Sequence, residues 1–543
     1  MQPSRPQRAL RAVALILLTA SALSCSGPSP SPSAPGESAP AGASATTTTD
    51  NPPGWSAAVR AENARSGDKD WYADEKFRGR PGLAAFLDRV SVRPGEDVGV
   101  YVSGKPGPVT VVAYRMGEYG GAGARQLWSG QATASEQGKS TDLGQAAAEI
   151  TGAGPTSTDV APWARSATVP TKDWPEGAYL IAVTSPGAGA TRYVPLTVRS
   201  AHARGRMLLV SSVLTYQAYN DWGGHSLYHG PDGSLASRAR AVSFDRPYAA
   251  ESGAGQFFSM DLPIIRAAEA SGLPLAWVTD YDLAVQPDLV DGAAGISFGG
   301  HSEYWTAAMR ARMIGAISQG TNFASFGANT AYWRIRMIGA ASGPASVAGR
   351  RDGRPRVIYA TKDAAEDPLA GSDPVNATTK FRHPPHEVAE SELAGVAYDC
   401  NPVAGDWTVT DPTWWGYQGT GAVAGTRLKG VVGNEIDRAY TGSPTPGPRQ
   451  VVAYGTVDCR GASTAYTGLY TTHPAGAGIF AAGTLGWPRG LTSPDADTAR
   501  ISTAITRRIL SEFASAKAGA RHRARDNLAS YWLPPTRTTT YGG

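Results

Sequence analysis

The sequence predicts a multidomain protein: an N-terminal all-β, immunoglobulin-like sandwich, then a three-layer α/β domain with a mostly parallel sheet. Three observations carry this reading. Residues 86–200 break into short alternating apolar segments divided by Pro/Gly turns, with no helical period of useful length. From Gly205 onward, continuous apolar runs alternate with stretches of helical period. Gly 64 and Pro 40, with only 18% charged residues, suit loop-rich extracytoplasmic domains and disfavour coiled coils and helical bundles.

The N-terminus reads as an export signal over residues 1–25. Arg5, Arg8 and Arg11 precede the apolar run 12–18, and small residues lead to Cys25. That run is too short for a permanent membrane span. Ala22-Leu23-Ser24-Cys25 resembles a bacterial lipobox, with Ala22 in place of the usual aliphatic residue. Lipidation at Cys25 would tether the protein to the outer face of the cell membrane; ordinary secretion is the alternative. Residues 26–54, rich in Ser, Pro, Ala and Thr, predict a disordered stalk, and 55–85 a charged lead-in. Lys+Arg 50 against Asp+Glu 46 leaves +4 over 543 residues, too little to draw nucleic acid. The only membrane contact expected is the lipid anchor.

Strands of the sandwich are expected at 90–92, 98–102, 109–114, 178–183 and 193–198. No polar residues converge there, so a docking or spacer role is expected. The α/β domain, 205–516, opens on the apolar run 207–210, a strand covered on both faces. Further strands follow at 275–279, 295–298 and 322–327, with a helix near 260–270. Trp305, Ala308, Met309, Met313, Ile314 and Ile317 share one helical face, which Gly320 ends. Strands are also expected at 357–359, 430–432, 450–454 and 478–481, then a closing helix striped by Ile501, Ile505, Ile509 and Phe513, and a tail from 517 to 543. Apart from Cys25, the cysteines are Cys400 and Cys459; in an exported protein they predict one disulfide.

Ligands of open parallel sheets bind beyond the carboxyl ends of the strands. Polar residues stand there four times: Tyr216, Tyr219, Asn220 and Asp221; His301, Ser302 and Glu303; Asn329; and Asn434, Glu435 and Asp437. His301 and Glu303, two apart, face the same way only if their turn is extended, which Gly299 and Gly300 permit. The elbow-like turn carries His301 or Ser302 within Gly-Gly-His-Ser-Glu rather than the Ser of a nucleophile elbow, and neither H-E-x-x-H nor a Walker loop is present. His225 and His229 lack a third ligand and make a weak zinc signal.

The ordered motifs are more specific. They are Ala218-Tyr219-Asn220-Asp221-Trp222-Gly223-Gly224, Ser243-Phe244-Asp245-Arg246-Pro247-Tyr248, Gly300-His301-Ser302-Glu303-Tyr304-Trp305, Gly327-Ala328-Asn329 and Asn434-Glu435-Ile436-Asp437-Arg438. Together they resemble the C-terminal domain of the large (beta) subunit of N,N-dimethylformamidase and its relatives, over most of 205–515. Tyr114 to Gly121 resembles those relatives too. The resemblance implies a fold similar to the class I glutamine amidotransferases, without their Cys nucleophile. It also implies a mononuclear Fe(III) held by two Tyr phenolates and one Glu. On these positions Glu303 is the carboxylate and Tyr219 and Tyr248 the phenolates, with Tyr228 a competitor; His301, Asn329 and Glu435 match the residues that act in amide hydrolysis.

The implied activity is an exported hydrolase of an amide C–N bond, working through Fe(III)-bound hydroxide on a small-molecule amide. Three hard anionic oxygens suit a trivalent cation. A phenol of pKa about 10 binds as phenolate only beside a strong Lewis acid. Glu435 or His301 would carry the proton, and Asn329 would orient the carbonyl or steady the oxyanion. The insertion at 352–426, with Cys400, Trp407, Trp414 and Trp415, makes a substrate other than small formamides the expectation. The alternative is a surface lipoprotein that binds a glycan or peptide without turnover.

Overall fold

The computed structural model describes residues 54–72, 80–142, 144, 157–338 and 354–534. The expected signal, Cys25, the stalk up to residue 53 and the last nine residues of the tail lie outside the described residues. Between Leu83 and Val198 two sheets share one apolar core. The three-stranded sheet runs in the order Leu83–Leu87, Val98–Gly104, Ala167–Val169. The five-stranded sheet runs Ser91–Val92, Ala190–Val198, Gly177–Ser185, Gly107–Met116, Ala124–Ala134. Val109, Val111 and Ala113 point inward while Thr110 and Val112 are half-exposed, the period of two that a half-buried strand requires.

The lead-in holds an element the sequence reading did not anticipate, the helix Gly54–Asn63. Its end enters a buried polar knot that also explains the Tyr114 to Gly121 motif. Arg115 of the five-stranded sheet pairs with Glu269 at 2.6 Å, both almost fully buried. Asn63 also donates to Glu269. Arg115 reaches the Tyr119 hydroxyl at 3.0 Å, which donates to Glu62 at 2.8 Å; Arg125 closes on Glu62 at 2.6 Å.

The main sheet of the second part has seven strands: Leu275–Thr279, Met207–Ser211, Gly295–Phe298, Asn322–Ser325, Gly478–Ala481, Ala462–Thr472 and Gln450–Cys459. The first five are parallel and the last two antiparallel. Alternate residues feed different cores: Met207 and Leu209 pack with the helices Leu262–Ala270 and Ala496–Phe513, Leu208 and Val210 with Ala307–Ser318. Ile501, Ile505, Ile509 and Phe513 are buried as their stripe requires. Among the described residues no helix is long and apolar enough to cross a membrane.

Three expected elements differ. Trp305 does not open the helix. It lies in the short strand Tyr304–Thr306, its indole donating to Ser302 Oγ at 2.9 Å, and Thr306 caps the helix that starts at Ala307. Val357–Tyr359 belongs to a separate sheet, between Ala241–Ser243 and Trp333–Ile338. The 430–432 run is the middle of a long strand, Arg427–Arg438, antiparallel to Ala397–Thr408. The insertion supplies that partner, so the run has no need of the main sheet. Cys400 and Cys459 form a disulfide joining this hairpin to the strand Gln450–Cys459. Trp407 and Trp414 are fully buried and form the core beneath it.

A buried ion stripped of its partner is strongly destabilising. Glu269→Ala is therefore expected to lower the unfolding free energy by ~3–5 kcal/mol. The double replacement Arg115→Met/Glu269→Leu should lose clearly less. Urea titration of both variants checks this.

Candidate active site

Two glycines set the site. The strands Gly295–Phe298 and Asn322–Ser325 end side by side, and their loops approach so closely that a Cβ on Gly327 would lie 1.8 Å from the Gly300 carbonyl oxygen. Only glycine fits there. The chain then runs through 301–303, in neither helix nor turn, into Tyr304–Thr306; His301 and Glu303 come together while Ser302 meets Trp305. Asn329 is held in the left-handed region, φ +59°, its N–H donating to Asp437 Oδ1 at 2.8 Å. Asn434, beside Glu435, also has positive φ. Asparagine tolerates this region better than most residues.

Glu303 is the hub. Its Oε1 accepts from the Tyr228 hydroxyl at 2.7 Å and from Asn329 Nδ2 at 3.1 Å; its backbone N–H donates to Thr215 Oγ1 at 3.0 Å. Its Oε2 lies 3.4 Å from His301 Nε2, which is 3.8 Å from Glu435 Oε2. The first is too poorly aligned for a hydrogen bond and the second too long for one. Glu303 Oε2, Glu435 Oε2, Asn329 Oδ1 and His301 Nε2 are thus buried with no hydrogen-bond partner. The Tyr219 ring lies 4.5 Å from Tyr228 and 5.1 Å from His301, centroid to centroid. Tyr219, Tyr228, Glu303, Asn329 and Glu435 line one cavity of about 520 Å³.

Burial works against charge here, and neighbours decide the outcome. It pushes Tyr219 and Tyr228 well above the ordinary phenol range, and the charge on Glu303 adds to it. Burial also opposes ionisation of Glu303, but His301, Lys362 and Tyr228 outweigh it and hold the carboxyl low. Glu435 is raised by burial and by Glu303, against the pull of His301. Burial lowers the Lys362 ammonium to about 7.

The structure brings together Tyr219, His301, Glu303, Asn329 and Glu435, and it corrects the placement of Tyr248. That ring meets Tyr216 edge-on and lines a separate groove of about 780 Å³ with Trp163 and Trp222. The cause is Arg246, buried two residues earlier, which donates to the carbonyls of Trp222, His225 and Asn220 and fixes the turn away from Glu303. Tyr228, the competitor, stands beside Glu303 instead. Glu435 also arrives differently, from inside a strand rather than after one. His225 pairs with Asp159 at 2.8 Å.

Lys362 was not foreseen. Its Nζ donates to the Tyr304 hydroxyl at 2.7 Å and lies 3.8 Å from the Tyr228 ring and 3.9 Å from that of Trp333. Tyr332, Tyr398, Asn401 and Arg460 complete the wall. The adjacency of Asn401 and Arg460 to the two cysteines was the one signal available. Among the described residues no three His, Cys, Asp or Glu side chains gather to hold a metal, so a metal here would depend on the phenols.

A family profile described as N,N-dimethylformamidase beta subunit-like, C-terminal, matches residues 110–499. The chain belongs to that family. The match begins inside the strand Gly107–Met116, so the N,N-dimethylformamidase beta subunit-like region takes in Arg115 as well as the cavity. No curated protein matches. A solved structure of a Paenibacillus sp. cycloisomaltooligosaccharide glucanotransferase complexed with cycloisomaltoheptaose is similar at 12% identity and a TM-score of 0.14. It covers 52% of this chain and 34% of that one, and at that score it carries no argument.

Gly327→Ala should lower stability by ~1–3 kcal/mol through the clash with Gly300. Gly315→Ala, in the helix Ala307–Ser318 with open space around its Cβ, should instead add up to ~1 kcal/mol. Thermal unfolding of the two variants separates them by sign.

Proposed function

We propose that this protein is a hydrolase of an amide C–N bond, with a mononuclear Fe(III) held by Tyr219, Tyr228 and Glu303. The observation that supports it best is Glu303 Oε2, a buried carboxylate oxygen with no hydrogen bond, beside two phenols and facing the equally unsatisfied Glu435 Oε2. Such acceptors fit a hard cation, and leaving them unpaired costs about 1–3 kcal/mol each. Fe(III) bound there would supply Lewis acidity toward water and an amide carbonyl.

The side chains divide the remaining work. Gln256 Oε1 lies 3.2 Å from His301 Nδ1, and Glu303 and Glu435 beside Nε2 outweigh burial and raise the pKa of the ring, favouring its charged form. His301 is thus placed to take a proton and to return it to the departing amine, with Glu435 steadying the charged ring. Asn329, pinned by Asp437, offers an amide to the substrate carbonyl. The scaffold is read as an immunoglobulin-like sandwich followed by a glutamine amidotransferase-like domain lacking the Cys nucleophile, a reading the parallel strands support. Placement outside the cytoplasmic membrane, on a lipid at Cys25, is supported by the disulfide.

Metal analysis and visible spectra of the purified chain test this. Iron with tyrosinate absorption is expected. Tyr228→Phe and Glu303→Ala should lose at least tenfold in iron content, while Tyr248→Phe should keep it. His301→Ala should retain iron with turnover of N,N-dimethylformamide or larger amides reduced about 10²–10⁴-fold. An iron-free, colourless protein, or undiminished turnover by Glu303→Ala, overturns the proposal.

A further inference from the structure

Trp333 touches two of the three proposed ligands. It opens the strand Trp333–Ile338 and pairs in register with Tyr304 of the parallel strand Tyr304–Thr306. Its backbone N–H donates to the Glu303 carbonyl at 2.9 Å, so its place is tied to the hub residue itself. Its indole Nε1 donates to the Tyr228 hydroxyl oxygen at 3.3 Å. The side chain is buried, with Lys362 Nζ 3.9 Å from the ring and Tyr332 edge-on to it at 5.0 Å. The same ammonium lies 3.8 Å from the Tyr228 ring, so one group packs on both. The indole therefore has little freedom to turn away from Tyr228.

A phenol oxygen carries one proton and two lone pairs, whereas an indole N–H donates only. The Tyr228 proton is given to Glu303 Oε1 at 2.7 Å. That bond cannot persist once the phenol gives up its proton to bind as phenolate. The Trp333 bond has no such conflict. Its N–H keeps its proton, and the bond becomes charge-assisted when the oxygen is anionic. The indole then shares the oxygen lone pairs with a bound cation. A phenolate that accepts a hydrogen bond is a poorer electron donor, so moving an electron from it to Fe(III) takes more energy.

We infer that Trp333 is a positioning residue for the proposed iron: its indole N–H fixes the direction of the Tyr228 oxygen and weakens the electron donation of that oxygen to the metal. This rests on the iron-dependent hydrolase reading of the same site. The test uses the full-length protein supplied with Fe(III) citrate. It compares the tyrosinate-to-iron absorption band of the wild type with those of Trp333→Phe and Trp333→Met, both of which lack the donor. A shift to longer wavelength of about 10–30 nm is expected in both, the spectral equivalent of one charge-assisted hydrogen bond. Trp333→His, which keeps a ring N–H, should shift less. Tyr332→Phe, on the neighbouring ring of the same wall, should leave the band in place.

Iron content measured on the same samples separates the outcomes. A shifted band with iron retained in either donor-free variant supports the inference. A band that stays in place in both keeps the iron site and overturns the inference. Loss of iron from both folded variants also overturns it, because Trp333 then only walls the pocket. A wild-type protein with neither iron nor band removes the iron site and the inference together. Resonance Raman of the wild type needs no variant: a tyrosinate C–O vibration should move when the protein is exchanged into D2O before iron is added. Tyrosinate vibrations that all stay in place overturn the inference.

Discussion

A carboxylate with 2% of its surface exposed stays ionised only if its surroundings answer the charge, and Glu303 is the residue around which this fold is arranged. One oxygen has two donors, Tyr228 and Asn329. Each donor comes from a different loop, so each loop must be brought to the same place. The parallel strands do this by ending together, and the near-contact of Gly300 with Gly327 removes the space between their loops. Thr215, on the helix Val213–Tyr219 that also ends in Tyr219, accepts the Glu303 N–H. One buried charge therefore fixes three strand ends relative to one another.

Among the contacts of the sandwich with the second part, those on one helix bear on the site. Arg115 and Asn63 grip Glu269 near the end of Leu262–Ala270. At the other end of that helix, Asp261 accepts from the Tyr216 hydroxyl and the Ser212 N–H. Asp261 and Met260 leave so little space that a Cβ on Gly299 or Gly300 would meet them at 2.6 and 3.0 Å. The loop presenting His301 thus rests on the helix that the sandwich holds. The sandwich thus supports the wall behind the site through its buried polar knot.

The main sheet was legible because strands covered on both faces must be apolar throughout, and 207–210, 275–279 and 295–298 have no other explanation. His301 and Glu303 were legible because a spacing of two has meaning only in extended chain. Tyr248 was misplaced because 220–250 carries no period, so nothing local reveals that Arg246 folds the turn back on itself. Glu435 was placed at a strand end because 430–432 looks like one, and the partner that lengthens it lies about thirty residues upstream. Lys362 has no local pattern, and Arg460 only its place after a cysteine. They are placed by contacts across 58 or more residues, with Tyr304 and Asn401 respectively.

The two walls of the cavity are under different constraints. The inner wall, with Glu303, His301 and Asn329, grows from parallel strands whose ends are locked by backbone contact, so its geometry tolerates little change. The outer wall, with Tyr398, Asn401, Glu435 and Arg460, belongs to antiparallel hairpins packed over Trp407 and Trp414 and tied by one disulfide. Hairpins and turns accept substitution and insertion far more readily than the ends of a buried sheet. The geometry of the inner wall is therefore held by the fold itself, while the outer wall has more freedom to vary. Glu435 is the exception: it reaches the inner chemistry from the outer wall, and Asn401 binds it to the same arm as Arg460. A change in that arm therefore acts on Glu435 as well. The covalent tie at Cys400–Cys459 limits how far such a change can move it.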